Sequence, residues 1–171
     1  SVCGAVTVPT SANARGLTAV YADGQVLLAF RTQWDSLRTI RATGANTSGS
    51  LTGWTGERYH SATTDKEPEA ELMRVDPAQF GGESLVVALM YRDKSTGQYR
   101  WRTLADATST SSTYRGALLT DTGGTLMGTE SPTFAAWPYN PSTTSNGTTC
   151  GAITDTVGDV GLYCYDRATN R

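Results

Sequence analysis

Short apolar runs separated by polar turns dominate the hydrophobic pattern of the chain. One run covers residues 25–31 and follows an Asp-Gly pair, and another covers residues 85–92 and follows a Gly-Gly pair. Unbroken apolar runs of this length, bounded by turn residues, predict strands that are buried on both faces. Helical periodicity is nearly absent. The best candidate, residues 65–75, also alternates like a strand, so a strand or a single helical turn is expected there.

Further strands are expected where shorter apolar or alternating segments lie between clusters of Gly, Ser, Thr, Asn and Asp. These segments cover residues 37–42, 98–104, 117–119, 133–137, 149–154 and 161–165. Many short strands at nearly regular spacing predict a single all-β domain over residues 1–171, built as a sandwich, a barrel or a propeller.

An internal repeat is visible in the order of these segments. Each unit has an apolar stretch, a turn, and a strand that carries Arg or Tyr. Tyr91 follows Phe30 by 61 residues, and Thr154 follows Tyr91 by 63 residues. The start of the chain, residues 3–7, also matches residues 150–154 closely. The pattern predicts about three repeats of roughly 61 residues, each made of antiparallel strands.

The repeat resembles β-propeller repeats, which have a Pro-led strand, a central apolar strand and a hairpin into a strand with Arg. Pro68 and Pro132 begin the Pro-led segments, 64 residues apart. The pattern is most similar to the repeats of propeller lectins and of sialidase-like or arabinanase-like glycosidases, over residues 17–166. The chain does not contain the Asp-box motif of sialidases. The most similar segment, residues 95–101, lacks the Asp and has a different spacing.

The resemblance implies a partial propeller, since a closed ring needs at least four blades and the chain has three units. Either the chain self-associates into a homo-oligomer to complete a ring, or it is a fragment. A β-sandwich is the alternative fold, because sandwiches need the same alternation of apolar and polar positions.

Composition and charge indicate which partners and which cellular location to expect. The net charge of −2 and the absence of a basic stripe argue against a nucleic-acid partner. No apolar stretch is long enough for membrane insertion. The chain is rich in Thr, poor in Lys, and carries glycosylation sequons at Asn46 and Asn146. These features favour a secreted protein or one at the extracellular surface.

The chain has three cysteines. Cys150 and Cys164 lie in two apolar segments joined by a turn, so neighbouring strands would bring them close enough for a disulfide. Two reduced, buried thiols are the alternative. Cys3 is left over as a free thiol or as a link to another chain. No second Cys or His stands at ligand spacing, so neither a metal site nor a cofactor is expected.

Aromatic and arginine side chains are the best candidates for ligand binding, because an aromatic face packs on the C–H patch of a sugar while Arg binds its hydroxyls. The candidates lie beside loops and strand ends: Trp54, Arg41, Trp101, Arg100, Arg102 and Tyr139. The alternative for any one Trp is a place in the core between sheets.

No catalytic constellation is apparent. The carboxylates between residues 57 and 76 are expected to form a solvated acidic loop, and His60 is expected to be a surface histidine. The sequence therefore predicts a non-catalytic binding module, most similar to a lectin, with glycans or a protein as partner. The alternatives are a structural or protruding domain of a viral or phage particle or of an extracellular appendage, and a fragment of a propeller glycosidase.

Overall fold

A computed structural model describes residues 10, 13–22, 25–42, 53–75, 77–83, 85–104, 112–118, 124–136, 149–154, 157 and 160–165. The strands are β1 (Ala14–Ala22), β2 (Gln25–Thr32), β3 (Ser36–Ala42), β4 (Arg58–Thr63), β5 (Glu69–Arg74), β6 (Leu85–Arg92), β7 (Tyr99–Leu104), β8 (Thr113–Ala117), β9 (Thr133–Ala136), β10 (Thr149–Thr154) and β11 (Val160–Tyr165). One short 3₁₀ turn spans Pro77–Gln79. The all-β prediction is confirmed, and no helix of these residues is long and apolar enough to cross a membrane.

The described strands form antiparallel sheets in which each strand pairs with its neighbour in sequence. The first sheet has the order β1-β2-β3-β4, the second β5-β6-β7-β8, and the third β9-β10-β11. Short turns suffice for such connections, because antiparallel neighbours need no crossover. None of the three sheets closes on itself within the part of the chain that the structure describes.

The sequence pattern predicted the strands in the two longest apolar runs at nearly their observed positions. It did not predict the strands that are mostly polar. The predicted strand 85–92 coincides with β6, whose interior is buried on both faces. Strand β4 was not predicted, because only His60 and Ala62 of its six residues are buried and its sequence lacks apolar alternation. Strand β1 was also missed, and β8 lies at Thr113–Ala117 rather than at 117–119.

The second sheet is covered on both faces by apolar side chains. On one face, Val20, Leu27 and Ala29 of the first sheet pack against its apolar residues, which are Ala70, Val87, Leu89 and Leu104. The opposite face holds a second cluster built from β5, β6 and β7 together with residues that follow β8, namely Met73, Val75, Val86, Ala88, Met90, Tyr99, Trp101, Leu118 and Leu126. Burial of these side chains is the main source of stability of the stacked sheets.

The segment between the first and second sheets is held by an arginine from each of them. Arg92 of β6 donates to both carboxylate oxygens of Asp65, at 2.7 and 2.8 Å. Arg31 of β2 donates to the backbone carbonyl of Asp65. Arg92 also donates to the carbonyl of Gly128, in the segment that leads to the third sheet. These bonds fix the position of the connecting segments relative to both sheets.

Gly16 allows the same connecting segment to approach β1 closely. The register of β1 against β2 shifts between Arg15 and Leu17, and Gly16 has a φ of 55°. A Cβ on Gly16 would lie 1.8 Å from Cγ and 3.0 Å from Cα of Glu67. Glycine is the residue that adopts this backbone conformation without strain, and it leaves the space that Glu67 occupies.

Gly16→Ala should lower the free energy of unfolding by about 2 kcal/mol, because it adds both a left-handed alanine and a collision with Glu67. Gly56→Ala is the matched control, since a Cβ there meets nothing within 4 Å. Urea unfolding of the two variants checks the prediction. Equal stability of both variants would contradict it.

Candidate functional site

A cavity of about 310 Å³ lies between β4 of the first sheet and the face of the second sheet that packs on the first. Its lining comes from β4, from the ends of β6 and β7 with the turn between them, and from β8. The lining residues are Tyr59, Ser61, Ala62, Thr63, Tyr91, Asp93, Arg100, Arg102 and Tyr114. The volume is at the lower end of the range for small-ligand sites. We call this cavity the inter-sheet pocket.

An irregularity in β4 shapes one wall of the inter-sheet pocket. Ser36 pairs with Thr63 and Arg38 pairs with Tyr59, so three residues of β4 lie opposite the single residue Leu37 of β3. Ser61, within this bulge, has a φ of 49°. Left-handed non-glycine residues are uncommon and cost energy, and bulges beside functional sites redirect side chains. The bulge brings Ser61 to the pocket.

Two arginines of β7 form the opposite wall. Arg100 and Arg102 are two residues apart on the strand, so they lie on the same face of the sheet. Arg100 contacts Asp93 at 3.3 Å and donates to Gln98 at 3.0 Å. Arg102 donates to the hydroxyl of Ser112 at 2.7 Å, and no carboxylate of the described residues forms an ion pair with it. Among the described residues, the side chains in contact with Arg102 are those of neutral residues, among them Ser112 and Tyr114.

Tyrosine rings lie beside these guanidinium groups. The ring centroid of Tyr114 is 5.9 Å from Arg100 and 5.7 Å from Arg102, within the range of a cation–π contact. Tyr59 stands across the pocket and is 55% exposed, while Tyr114 is 46% exposed. Large exposed aromatic rings at the mouth of a cavity offer apolar faces to a ligand.

Among the described residues, Asp93 is the one carboxylate in the lining of the inter-sheet pocket. Burial by itself would raise its pKa, but hydrogen bonds from the Ser95 hydroxyl and from the backbone N–H groups of Thr96 and Ser95 outweigh burial and lower the pKa. Asp93 is therefore ionised at neutral pH. With Arg100 and Arg102 charged, the described residues of the lining carry an excess of one positive charge.

A series of hydrogen-bonded polar side chains lies beneath the inter-sheet pocket. His60 is 2% exposed, and its Nε2 lies 2.6 Å from the hydroxyl of Thr39. Its Nδ1 lies 2.9 Å from the hydroxyl of Ser112, which also accepts from Arg102. Because a hydroxyl can both donate and accept, Thr39 and Ser112 together satisfy both ring nitrogens of the neutral histidine. This series links the two sheets.

The expectation that His60 lies on the surface is wrong. His60 belongs to β4 and is buried between the first and second sheets. Burial, and then the nearby charge of Arg102, lower the pKa of His60 to about 4. The histidine is therefore neutral at pH 7, and it acts as a buried hydrogen-bonding group.

His60 should make the protein sensitive to acid. Its pKa is about 6.5 in the unfolded chain and about 4 in the folded one, so the unfolded state binds the proton first as the pH falls. The stability that depends on the neutral ring is complete above pH 6.5 and is lost progressively down to pH 4, by about 3 kcal/mol in all.

Two measurements check this pH dependence. The chain has one histidine, so its ring resonance in a proton NMR titration is unambiguous and should have a midpoint near 4. Between pH 7 and pH 4, His60→Gln should lose less unfolding free energy than the wild type. A midpoint near 6.5, or parallel loss of stability in both proteins, would contradict the assignment.

The structure brings some of the predicted ligand-binding residues together and separates others. Arg100 and Arg102 line the inter-sheet pocket. Trp101, between them in sequence, lies on the opposite face and is buried in the core cluster of the second sheet. Arg41 is buried at the end of β3, and Trp54 is half-buried where it bridges to Ala42. Neither lines the pocket, and Tyr139 lies outside the described residues.

Sequence reasoning missed Tyr59, Ser61, Tyr91 and Tyr114 as pocket residues. A signal was available for Tyr114, because the residues 113–117 alternate as a strand beside two arginines of the preceding strand. No signal marked Ser61, since its position depends on the bulge in β4. In the described residues, no cluster of His, Cys, Asp and Glu has the geometry of a metal site.

Comparison with known proteins gives no relative from which a function could be transferred. No protein-family model matches the chain, and no curated protein matches it.

Proposed function

We propose that the protein is a non-catalytic carbohydrate-binding module and that the inter-sheet pocket is its binding site. The observation that carries this proposal is the pairing of two exposed tyrosines, Tyr59 and Tyr114, with two arginines, Arg100 and Arg102, around one cavity of about 310 Å³. Aromatic faces and convergent polar groups are the combination that sugar recognition requires.

Each group of the pocket has a role in this proposal. The face of Tyr114 packs against the C–H patch of a sugar ring, and Tyr59 covers the ring from the side of the first sheet. Arg100 and Arg102 donate to sugar oxygens, while Asp93 accepts from a hydroxyl. Because the lining carries one excess positive charge, a saccharide with an acidic group is favoured over a neutral one.

We further propose that the three sheets are successive units of a propeller-like array. Three correspondences support this architecture. Phe30 pairs with Arg38 as Tyr91 pairs with Arg100. Arg31 of β2 and Arg92 of β6 stand at equivalent positions, and each donates to a carbonyl in the segment that follows its own sheet. The contact order β1 to β5 to β9 repeats the same stacking between neighbouring sheets.

A glycan array probed with the purified protein tests the binding proposal. Selective binding to acidic saccharides is expected, and binding should weaken with salt because the arginines are partly exposed. Tyr114→Ala should reduce affinity at least about tenfold by removing the stacking face, and Arg102→Gln should reduce it similarly by removing the unbalanced charge.

Trp34→Ala is the matched control for Tyr114→Ala. Trp34 is an aromatic residue on the turn between β2 and β3 that is 65% exposed, against 46% for Tyr114, and it does not line the pocket. Its loss should leave binding unchanged. No binding to any glycan, or equal losses in Trp34→Ala and Tyr114→Ala, would overturn the proposal and favour the structural alternative.

An extracellular location belongs to the same proposal, and a disulfide between Cys150 and Cys164 is its most direct test. The register of β10 against β11 places these two cysteines directly opposite each other. Opposed positions in antiparallel strands lie about 4.5–5.5 Å apart at Cα, which a disulfide can span. A disulfide that persists in the native protein is typical of an oxidising compartment.

Thiol counting under denaturing conditions should label one cysteine of the three before reduction and all three after it. Reduction should also lower the free energy of unfolding by about 3 kcal/mol, since the bond closes a loop of about 15 residues. Cys3→Ser should then leave no thiol to label before reduction. Labelling of all three cysteines without a reductant would refute the disulfide.

A further inference from the structure

The first sheet provides an internal reference for the inter-sheet pocket, because β2 and β3 pair in the same register as β6 and β7. In the first sheet, Leu28 pairs with Ile40. In the second sheet, Leu89 pairs with Arg102. Ile40 therefore occupies the position that corresponds to Arg102, and it is only 1% exposed. An apolar side chain is thus sufficient for packing at this position.

A second position differs between the two sheets in the same way. Phe30 occupies in the first sheet the place that Tyr91 has in the second, since each pairs with an arginine of the next strand. Both rings are buried, and the ring of Tyr91 packs against Leu37 and Ala62 of the first sheet. A phenylalanine ring can fill such a place, as Phe30 does. The hydroxyl of Tyr91 is therefore a group that packing does not require.

The two polar groups that distinguish the second sheet are in contact with each other. The hydroxyl of Tyr91 forms a hydrogen bond with the side chain of Arg102, and both residues line the inter-sheet pocket. A guanidinium has only donors, so the phenol oxygen accepts this bond and the phenol hydrogen is left for another acceptor. Burial raises the pKa of Tyr91, and the bond with Arg102 opposes the rise only in part. The phenol therefore keeps its hydrogen at neutral pH.

The uncompensated charge of the pocket lies at the same place. The equivalent arginines Arg38 and Arg100 each have a carboxylate partner. Arg38 contacts Glu57 at 2.9 Å, and Arg100 contacts Asp93 at 3.3 Å. No carboxylate of the described residues forms an ion pair with Arg102, whose guanidinium donates to Ser112. Arg102 is therefore the group of the lining that an anion would neutralise.

We propose that Tyr91 and Arg102 form an anion subsite within the inter-sheet pocket, that this subsite holds one carboxylate group of an acidic saccharide, and that Tyr91 determines the preference for such a ligand. One carboxylate oxygen accepts the phenol hydrogen of Tyr91, and the other accepts from the guanidinium of Arg102. A carboxylate has the single charge and the two acceptors that these groups require.

This inference rests on the proposed carbohydrate binding and assigns its specificity. The mutually neutralised pair of Arg100 and Asp93 is left to bind hydroxyl groups, which acidic and neutral sugars share. A saccharide without a carboxylate leaves the charge of Arg102 uncompensated in the complex. Sites built to hydrogen-bond one ligand group discriminate strongly against ligands that lack it, because their own polar groups are then left unpaired.

NMR titration with two matched pairs of methyl glycosides at pH 7 tests the inference. The pairs are glucuronic acid with glucose and galacturonic acid with galactose, so the sugars of a pair differ only in a carboxylate or a hydroxymethyl group. The wild type should bind at least one acid about tenfold more tightly than its neutral partner. Tyr91→Phe should weaken binding of that acid at least about tenfold and change the affinity for the neutral sugar little, because the lost hydrogen bond is made to the carboxylate.

Tyr99→Phe is the matched control. Tyr99 is a buried tyrosine of the same sheet, its hydroxyl donates to the backbone carbonyl of Glu130 at 2.8 Å, and it does not line the pocket. Its loss should leave the preference for the acid unchanged. Tyr91→Phe should keep the circular dichroism spectrum of the wild type, because Phe30 shows that phenylalanine fits the equivalent place.

Equal affinity of the wild type for both sugars of each pair would overturn the anion subsite while leaving the carbohydrate-binding proposal in place. An unchanged preference in Tyr91→Phe, or the same loss in Tyr99→Phe, would have the same consequence. Absence of binding by all four sugars would also overturn the subsite. If the glycan array is then without a selective hit as well, the proposed function is overturned with it.

Discussion

The ionic contact at Asp65 determines how the first two sheets meet. Its carboxylate accepts two hydrogen bonds from Arg92 of the second sheet, while its backbone carbonyl accepts one from Arg31 of the first. Both bonds to the carboxylate come from Nη1 of Arg92, and hydrogen bonds between charged groups are roughly twice as strong as neutral ones. A short connecting segment held at both ends allows little rotation of one sheet against the other. The packing of Val20, Leu27 and Ala29 on the second sheet depends on that orientation.

The inter-sheet pocket follows from the same orientation. The sheets are in apolar contact near β1 and β5, and the cavity lies where β4 faces β7 and β8. The chain from Thr39 through His60 and Ser112 to Arg102 crosses between the sheets behind it. Each side chain of this series forms a hydrogen bond with the next, so these polar groups can be buried with their hydrogen bonds made. The result is a rigid back wall against which Arg102 is held.

Several features of the inter-sheet pocket destabilise the fold, and apolar packing elsewhere offsets them. Ser61 has a left-handed backbone, Arg102 has no carboxylate partner among the described residues, and Tyr59 and Tyr114 keep apolar rings in water. Each feature costs free energy in the folded protein, and such costs concentrate at functional sites. The two apolar clusters on the second sheet supply the stability that offsets them.

The sequence by itself determined where the apolar strands lie, because runs such as residues 85–92 are short and bounded by turn residues. It did not determine the strands β1 and β4. It also singled out Arg100 and Arg102, which flank Trp101, as candidate ligand-binding residues, and both lie in the lining of the inter-sheet pocket. It could not place Trp101 in the core or His60 beneath the pocket, because alternation does not say which face of a strand meets solvent. That choice was made by the stacking of one sheet on the next, and the bulge at Ser61 brought β4 to the arginines. Which residues line the inter-sheet pocket therefore depends on packing between segments that are distant in the chain. A side chain is buried or exposed according to which other segment covers its face of the sheet.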